Sequence, residues 1–190
     1  MKDNLFYKFA KPIIKFLSFL IFHPKYEGKE NLPDKGGYVL AGTHTNNLDC
    51  FVLIAACKRQ VHFLAKSSLF KGFTKPFMNM MGVIPVDRSR KNPEVMDLSR
   101  EALKTGNIIG IFPEGTINKT KDPIMPFKYG AVKMAHDTKV PIIPFAITGK
   151  YKVFGGKLKI KFGKPYYTKD DIEKSNNELM KKVVSLMEVK

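Results

Sequence analysis

The chain is short of several things that would place it elsewhere. Cysteine is nearly absent: Cys50 and Cys57 are the only two in 190 residues, too few for a disulfide scaffold and outside any C-x-x-C metal pattern. Free thiols suit a reducing compartment. Acidic residues are scarce, 17 Asp and Glu against 33 Lys and Arg, a formal charge of +16. That surplus admits three kinds of partner, namely nucleic acid, anionic lipid or a phosphorylated small substrate, and cannot choose among them. No zinc-finger, RNP or helix-turn-helix signature supports nucleic acid. A G-x-S-x-G elbow is also missing, which argues against a covalent serine hydrolase. There is no internal repeat or low-complexity linker, and no small-residue cleavage site follows the first apolar stretch.

No apolar run is long enough to span a bilayer. Residues 5–22, LFYKFAKPIIKFLSFLIF, come nearest, but three lysines and Pro12 interrupt them. At about 100° per residue, Lys8, Lys11, Lys15 and Ser18 share a stripe of about 80°, opposite Phe6, Phe9, Ile13, Phe16, Leu17 and Leu20. Such a helix suits the membrane interface, with rings among acyl chains and lysines among headgroups. It also suits a helix packed on the protein's own core. The sequence divides into a docking segment, 1–30, and one domain, 31–190.

From residue 36 apolar strands and helical segments alternate. Strands are expected at 38–42, 61–65, 83–86, 107–112, 141–148 and 158–162. Helices are expected near 48–58, 93–104, 128–137 and 170–189. This order implies an α/β fold: a mostly parallel central sheet flanked by helices, with the amphipathic docking helix at its N-terminus.

Four stretches can carry chemistry. In GTHTNNLD, His44 follows a strand and Asp49 comes five residues later. If the TNN turn folds back, Asp49 can fix the imidazole tautomer and leave the other ring nitrogen as a base. Asn46, Asn47 and Asp49 also suit helix capping. In GVIPVDR, residues 82–88, an apolar strand ends in Asp87 and Arg88, where Arg88 can grip a phosphate or form a surface ion pair. FPEGT, residues 112–116, sets Glu114 between Pro113 and Gly115 at another strand exit, placed to orient a polyol, to pair with Arg88, or simply to close a turn. VPIIP, residues 140–144, reads as structural. Phe77, Met78, Met80 and Met81 fit an acyl channel or plain core. Cys50 lacks neighbours that would activate a thiolate.

Taken together and in this order, the four stretches resemble the motifs of the glycerolipid acyltransferase family, whose best known members are 1-acylglycerol-3-phosphate acyltransferases. His44 and Asp49 match its H-x4-D motif, Gly82 to Arg88 its second motif, Phe112 to Thr116 its F-P-E-G-T-R motif and Val140 to Pro144 its fourth. The resemblance implies transfer of an acyl group from acyl-CoA or an acyl carrier protein to the sn-2 hydroxyl of a lysophospholipid acceptor, making phosphatidic acid. A thioester is already activated, so no cofactor or metal is required. His44 is implied as general base and Asp49 as its orienting partner. Arg88, Glu114, Gly115, Thr116 and Lys66 are implied at the acceptor site. The implied location is the cytoplasmic face of the cell membrane, as a peripheral or monotopic protein on an anionic surface, with no nucleic-acid partner. One departure stands out: the family usually has Arg after EGT, and this chain has Ile117.

Overall fold

The computed structural model describes residues 5–87, 89, 92–153, 155 and 157–187. Thirteen regular elements lie among them: α1 (Leu5–Phe22), β1 (Lys25–Glu27), β2 (Tyr38–Gly42), α2 (Asp49–Ala56), β3 (Val61–Lys66), α3 (Thr74–Met80), β4 (Ile84–Val86), α4 (Pro93–Lys104), β5 (Ile108–Ile111), α5 (Gly130–Thr138), β6 (Ile142–Thr148), β7 (Lys159–Phe162) and α6 (Ile172–Met187). The strands form one seven-stranded sheet in the order β1-β7-β6-β2-β5-β3-β4. Every pairing is parallel except β6 with β7. The α/β architecture expected from the alternating pattern is the one found, as a mixed sheet with one antiparallel junction.

The central strands are apolar on both faces because helices cover both. All five residues of β2 are buried, and β6 is buried at all but its last position. Alternation along β2 divides the core. Tyr38 and Leu40 join Val52, Leu53, Phe63 and Phe145 beneath α1 and α2. Val39 and Ala41 join Ile109, Met134, Leu179 and Val183 beneath α4, α5 and α6. The VPIIP stretch is part of this framework, with the Pro141 carbonyl accepting from Val39 N–H at 3.0 Å.

Two elements escaped the sequence. The three residues of β1 pair with β7, more than 130 positions away, and carry no pattern of their own. Seven-residue α3 contains Pro76 and is too short for a periodic signal.

Helix α1 packs on α2, yet its apolar side does not all point inward. Tyr7 and Ser18 are buried, with Ala10, Ile14 and Phe22 against the core. Leu5, Phe9, Ile13, Phe16, Phe19 and Leu20 are exposed, Phe9 to 69% and Phe16 to 63%. No helix among the described residues is long and apolar enough to cross a membrane.

Candidate active site

Strands β2, β3, β4, β5 and β6 run in one direction, so their carboxyl ends share one edge of the sheet. Ligands in open α/β sheets bind beyond that edge. Ala41 of β2 is in register with Ile111 of β5, which sets His44 and Glu114 three residues beyond paired positions. The two touch: His44 N–H donates to Glu114 Oε1 at 2.9 Å.

His44 and Asp49 meet as well. The chain between them turns back, so Asp49, first residue of α2, reaches His44 Nδ1 through Oδ2 at 2.9 Å. An ionised carboxylate only accepts, so Nδ1 carries the hydrogen and Nε2 keeps its lone pair. Asp49 is fully buried, whereas the His44 side chain retains 16% exposure. The imidazole lies flat on Phe112, ring centroids 4.0 Å apart and planes 14° apart. Phe112 in turn packs against Phe63 and Phe145. Thus an apolar stack and a buried acid fix the ring in two perpendicular directions.

Asp49 does not cap its own helix. Its Oδ2 also accepts the backbone N–H groups of Thr45 at 2.6 Å and Asn46 at 2.9 Å, both upstream. Oδ1 accepts Thr45 Oγ1 at 3.1 Å and the Tyr151 hydroxyl at 2.7 Å. Burial, reinforced by the charge of Asp49, pushes the Tyr151 phenol far above its ordinary value, so it remains a donor. Tyr151 lies three residues beyond β6 and 102 from Asp49 in sequence, and no motif announced it. The neighbouring Cys50 thiol is pushed up to about 12 by burial and by the Asp49 charge, which leaves it an inert thiol.

Glu114, at the exit of β5, is buried. Only 4% of it is accessible, and its second oxygen accepts Met125 N–H at 2.9 Å. Burial raises its carboxyl above the usual range, against the lowering effect of the Met125 and His44 N–H groups. Its carboxylate therefore clamps the His44 loop to the segment around residue 125. Each oxygen is engaged by a backbone N–H, and no ion pair to Glu114 is found among the described residues, of which Arg88 is not one. Gly115 adopts φ +76°, a conformation costly for other residues, and Thr116 beyond it is exposed. The strap then returns, with Asn118 N–H donating to the His44 carbonyl at 2.8 Å.

Lys66 ends β3 and is exposed; its register partner is Val86, last residue of β4. Two strand spacings separate β3 from β2. Arg88 lies outside the described residues. Phe77 and Met81 belong to the core beneath α1, where Phe77 meets Phe6 edge-on at 6.3 Å.

Comparison with known proteins identifies the family and the fold. Residues 23–148 match the model of the acyltransferase family. The 1-acyl-sn-glycerol-3-phosphate acyltransferase of Bacillus subtilis is 35% identical over 170 residues, covering 86% of this chain and 84% of that protein. The Saccharomyces cerevisiae protein of the same name is 30% identical over 172 residues, covering 84% of this chain and 56% of its own length. The chain thus spans just over half of the yeast relative. In fold, the crystal structure of the 1-acyl-sn-glycerophosphate acyltransferase from Thermotoga maritima superposes with a TM-score of 0.76, covering 93% of this chain and 78% of that one at 21% identity.

Proposed function

This chain belongs to the acyltransferase family, and from that membership we propose that it transfers a fatty acyl group from a thioester donor to the sn-2 hydroxyl of 1-acylglycerol-3-phosphate, making phosphatidic acid. The observation that carries the mechanism is the His44–Asp49 contact of 2.9 Å, with Nε2 left as the basic nitrogen. The acceptor hydroxyl gives its proton to Nε2 as its oxygen attacks the thioester carbonyl. The tetrahedral adduct collapses, the C–S bond breaks, and the departing thiolate takes the proton back from Nε2. Asp49 balances the imidazolium formed in between. Base catalysis of this kind contributes about 10²–10⁴-fold. His44 and Asp49 are the catalytic pair in this reading, and Tyr151 is a positioning residue acting through Asp49.

Acceptor binding falls to the surrounding edge. Gly115 and Thr116 border the strap beside His44, while Lys66 and Arg88 supply positive charge from the ends of β3 and β4, Arg88 by its place in the sequence directly after Asp87. Glu114 acts through the loops it clamps. The donor is acyl-CoA or an acyl carrier protein, and no metal or further cofactor enters the chemistry.

The enzyme works at an anionic membrane surface. Its N-terminal helix turns Phe9, Ile13, Phe16 and Phe19 away from the protein, which soluble helices avoid. Beside it runs a groove of about 470 Å³ lined by Lys8, Lys11, Lys15, Lys58 and Arg59. Such a pairing of rings and cations suits acyl chains below and headgroups above. A bilayer pressed over the sheet edge also keeps water from the thioester.

The acceptor assignment is tested by competition. Purified protein receives equal amounts of lysophosphatidate, lysophosphatidylcholine and lysophosphatidylethanolamine with a long-chain acyl thioester, and the products are weighed by mass spectrometry. Phosphatidic acid is the expected main product. A predominance of either zwitterionic product overturns the acceptor.

A further inference from the structure

We propose that Lys128 binds the phosphate of the acceptor, supplying the positive charge that Ile117 lacks. The inference rests on the acceptor reading given above. A Cβ built on Gly115 would lie 3.0 Å from Lys128 Nζ and 3.1 Å from its Cε. The ammonium group therefore arches over the one residue of the FPEGT stretch that has no side chain. Its root is fixed, because Lys128 N–H donates to the Pro113 carbonyl at 2.9 Å while Glu114 holds Met125 N–H. Two separate hydrogen bonds thus tie the segment 125–128 to the strand exit that faces His44.

The charge has no internal use. Lys128 is exposed and has no acidic partner among the described residues. Glu114, the chain neighbour of Gly115 beneath the ammonium, has both oxygens taken by backbone N–H groups. Elsewhere on this surface lysines meet acids, as Lys159 does Glu27 and Lys58 does Asp34.

Position favours Lys128 over the other cations. In 1-acylglycerol-3-phosphate a single carbon stands between the carbon bearing the free hydroxyl and the phosphate oxygen, so the two groups cannot be far apart. With the hydroxyl at His44 beyond β2, the phosphate falls within one strand spacing, about 4.8 Å, towards β5 or β6, and of the two it is the β5 exit that is bonded to His44 itself, through Glu114 and Asn118. Gly115 and Lys128 are there. Lys66, on β3, is one strand further. Ile117 flanks the same place, next to Asn118 on the His44 carbonyl. A lysine is a flexible point charge on a long stem and reaches a phosphate from a root that arginine at 117 would not share.

Four proteins test this by steady-state kinetics with lysophosphatidate: wild type, Lys128→Met, Lys128→Arg, and Lys128→Met combined with Ile117→Arg. Removing the ammonium should raise KM for lysophosphatidate by on the order of tenfold or more, leaving kcat and KM for the thioester within about twofold. Lys128→Arg should stay near wild type, and the Ile117→Arg combination should recover most of the lost KM. Thermal midpoints should coincide. An unchanged KM in Lys128→Met overturns the assignment while leaving the acceptor in place. A fall in kcat together with a lowered midpoint overturns it in favour of a structural strut. If wild type itself ignores lysophosphatidate, the acceptor reading fails and this inference fails with it.

Discussion

Asp49 gathers five hydrogen bonds from four residues: His44, Thr45 twice, Asn46 and Tyr151. A buried carboxylate is costly unless so satisfied, and here the satisfaction also aims the imidazole. Asp49→Asn puts an amide donor among donors and invites the wrong tautomer, so kcat should fall by about 10³–10⁴-fold. Tyr151→Phe removes one of the five. A hydrogen bond to a charged group contributes about 1.5–3 kcal/mol, so kcat should drop by about one to two orders of magnitude with KM for both substrates unchanged. Single-turnover kinetics on the two variants checks both values; unchanged turnover in Tyr151→Phe removes Tyr151 from the catalytic apparatus. At this scale the sequence revealed the pair but not what holds it. His44 and Asp49 are five positions apart and share one turn, whereas Tyr151 arrives only because β6 lies beside β2. Glu114 was legible as special but its burial was not, since burial of a loop acid depends on which segment, here that of Met125, folds over it.

Among the elements, α1 faces two ways. Tyr7, Ala10, Ile14 and Ser18 turn inward while Phe9, Phe16 and Leu20 turn outward, so packing on the core accounts for one side of the helix and the proposed membrane contact concerns the other. Deleting it would remove the buried Tyr7 and uncover the core beneath, so point changes are cleaner. Phe9→Ser with Phe16→Ser should leave the thermal midpoint within a degree or two. Each ring given up to water forfeits about 1.5–3 kcal/mol of burial, so binding to anionic vesicles should weaken by on the order of 100-fold or more. Each lysine near such a surface adds about 1 kcal/mol, so binding should also weaken as salt rises. Flotation with liposomes measures both, and undiminished flotation of the double variant puts the anchor elsewhere. Long helices were readable because one-sided burial imposes a period on them, and the central strands because burial on both faces leaves short continuous apolar runs. Neither β1, three residues long, nor α3 has room for one.

For the molecule as a whole, the parallel sheet does the assembling. Five strands exit on one edge, and each motif but the structural VPIIP is carried at such an exit, so residues spread from 44 to 151 converge without a second domain. The order of the strands, which sets β5 between β2 and β3, is not written in any local pattern, and it decides which cation stands near His44. The most direct test of the account is mass-spectrometric quantification of products from lysophosphatidate and a long-chain acyl thioester, with wild type beside His44→Ala. Wild type should release phosphatidic acid and free thiol in equal amounts. His44→Ala, whose ring sits on a turn and stays partly exposed, should keep its thermal midpoint and lose turnover by at least about 10³-fold. Turnover of His44→Ala within tenfold of wild type, or free fatty acid in place of phosphatidic acid from the wild type, contradicts a histidine base delivering the acyl group to this acceptor.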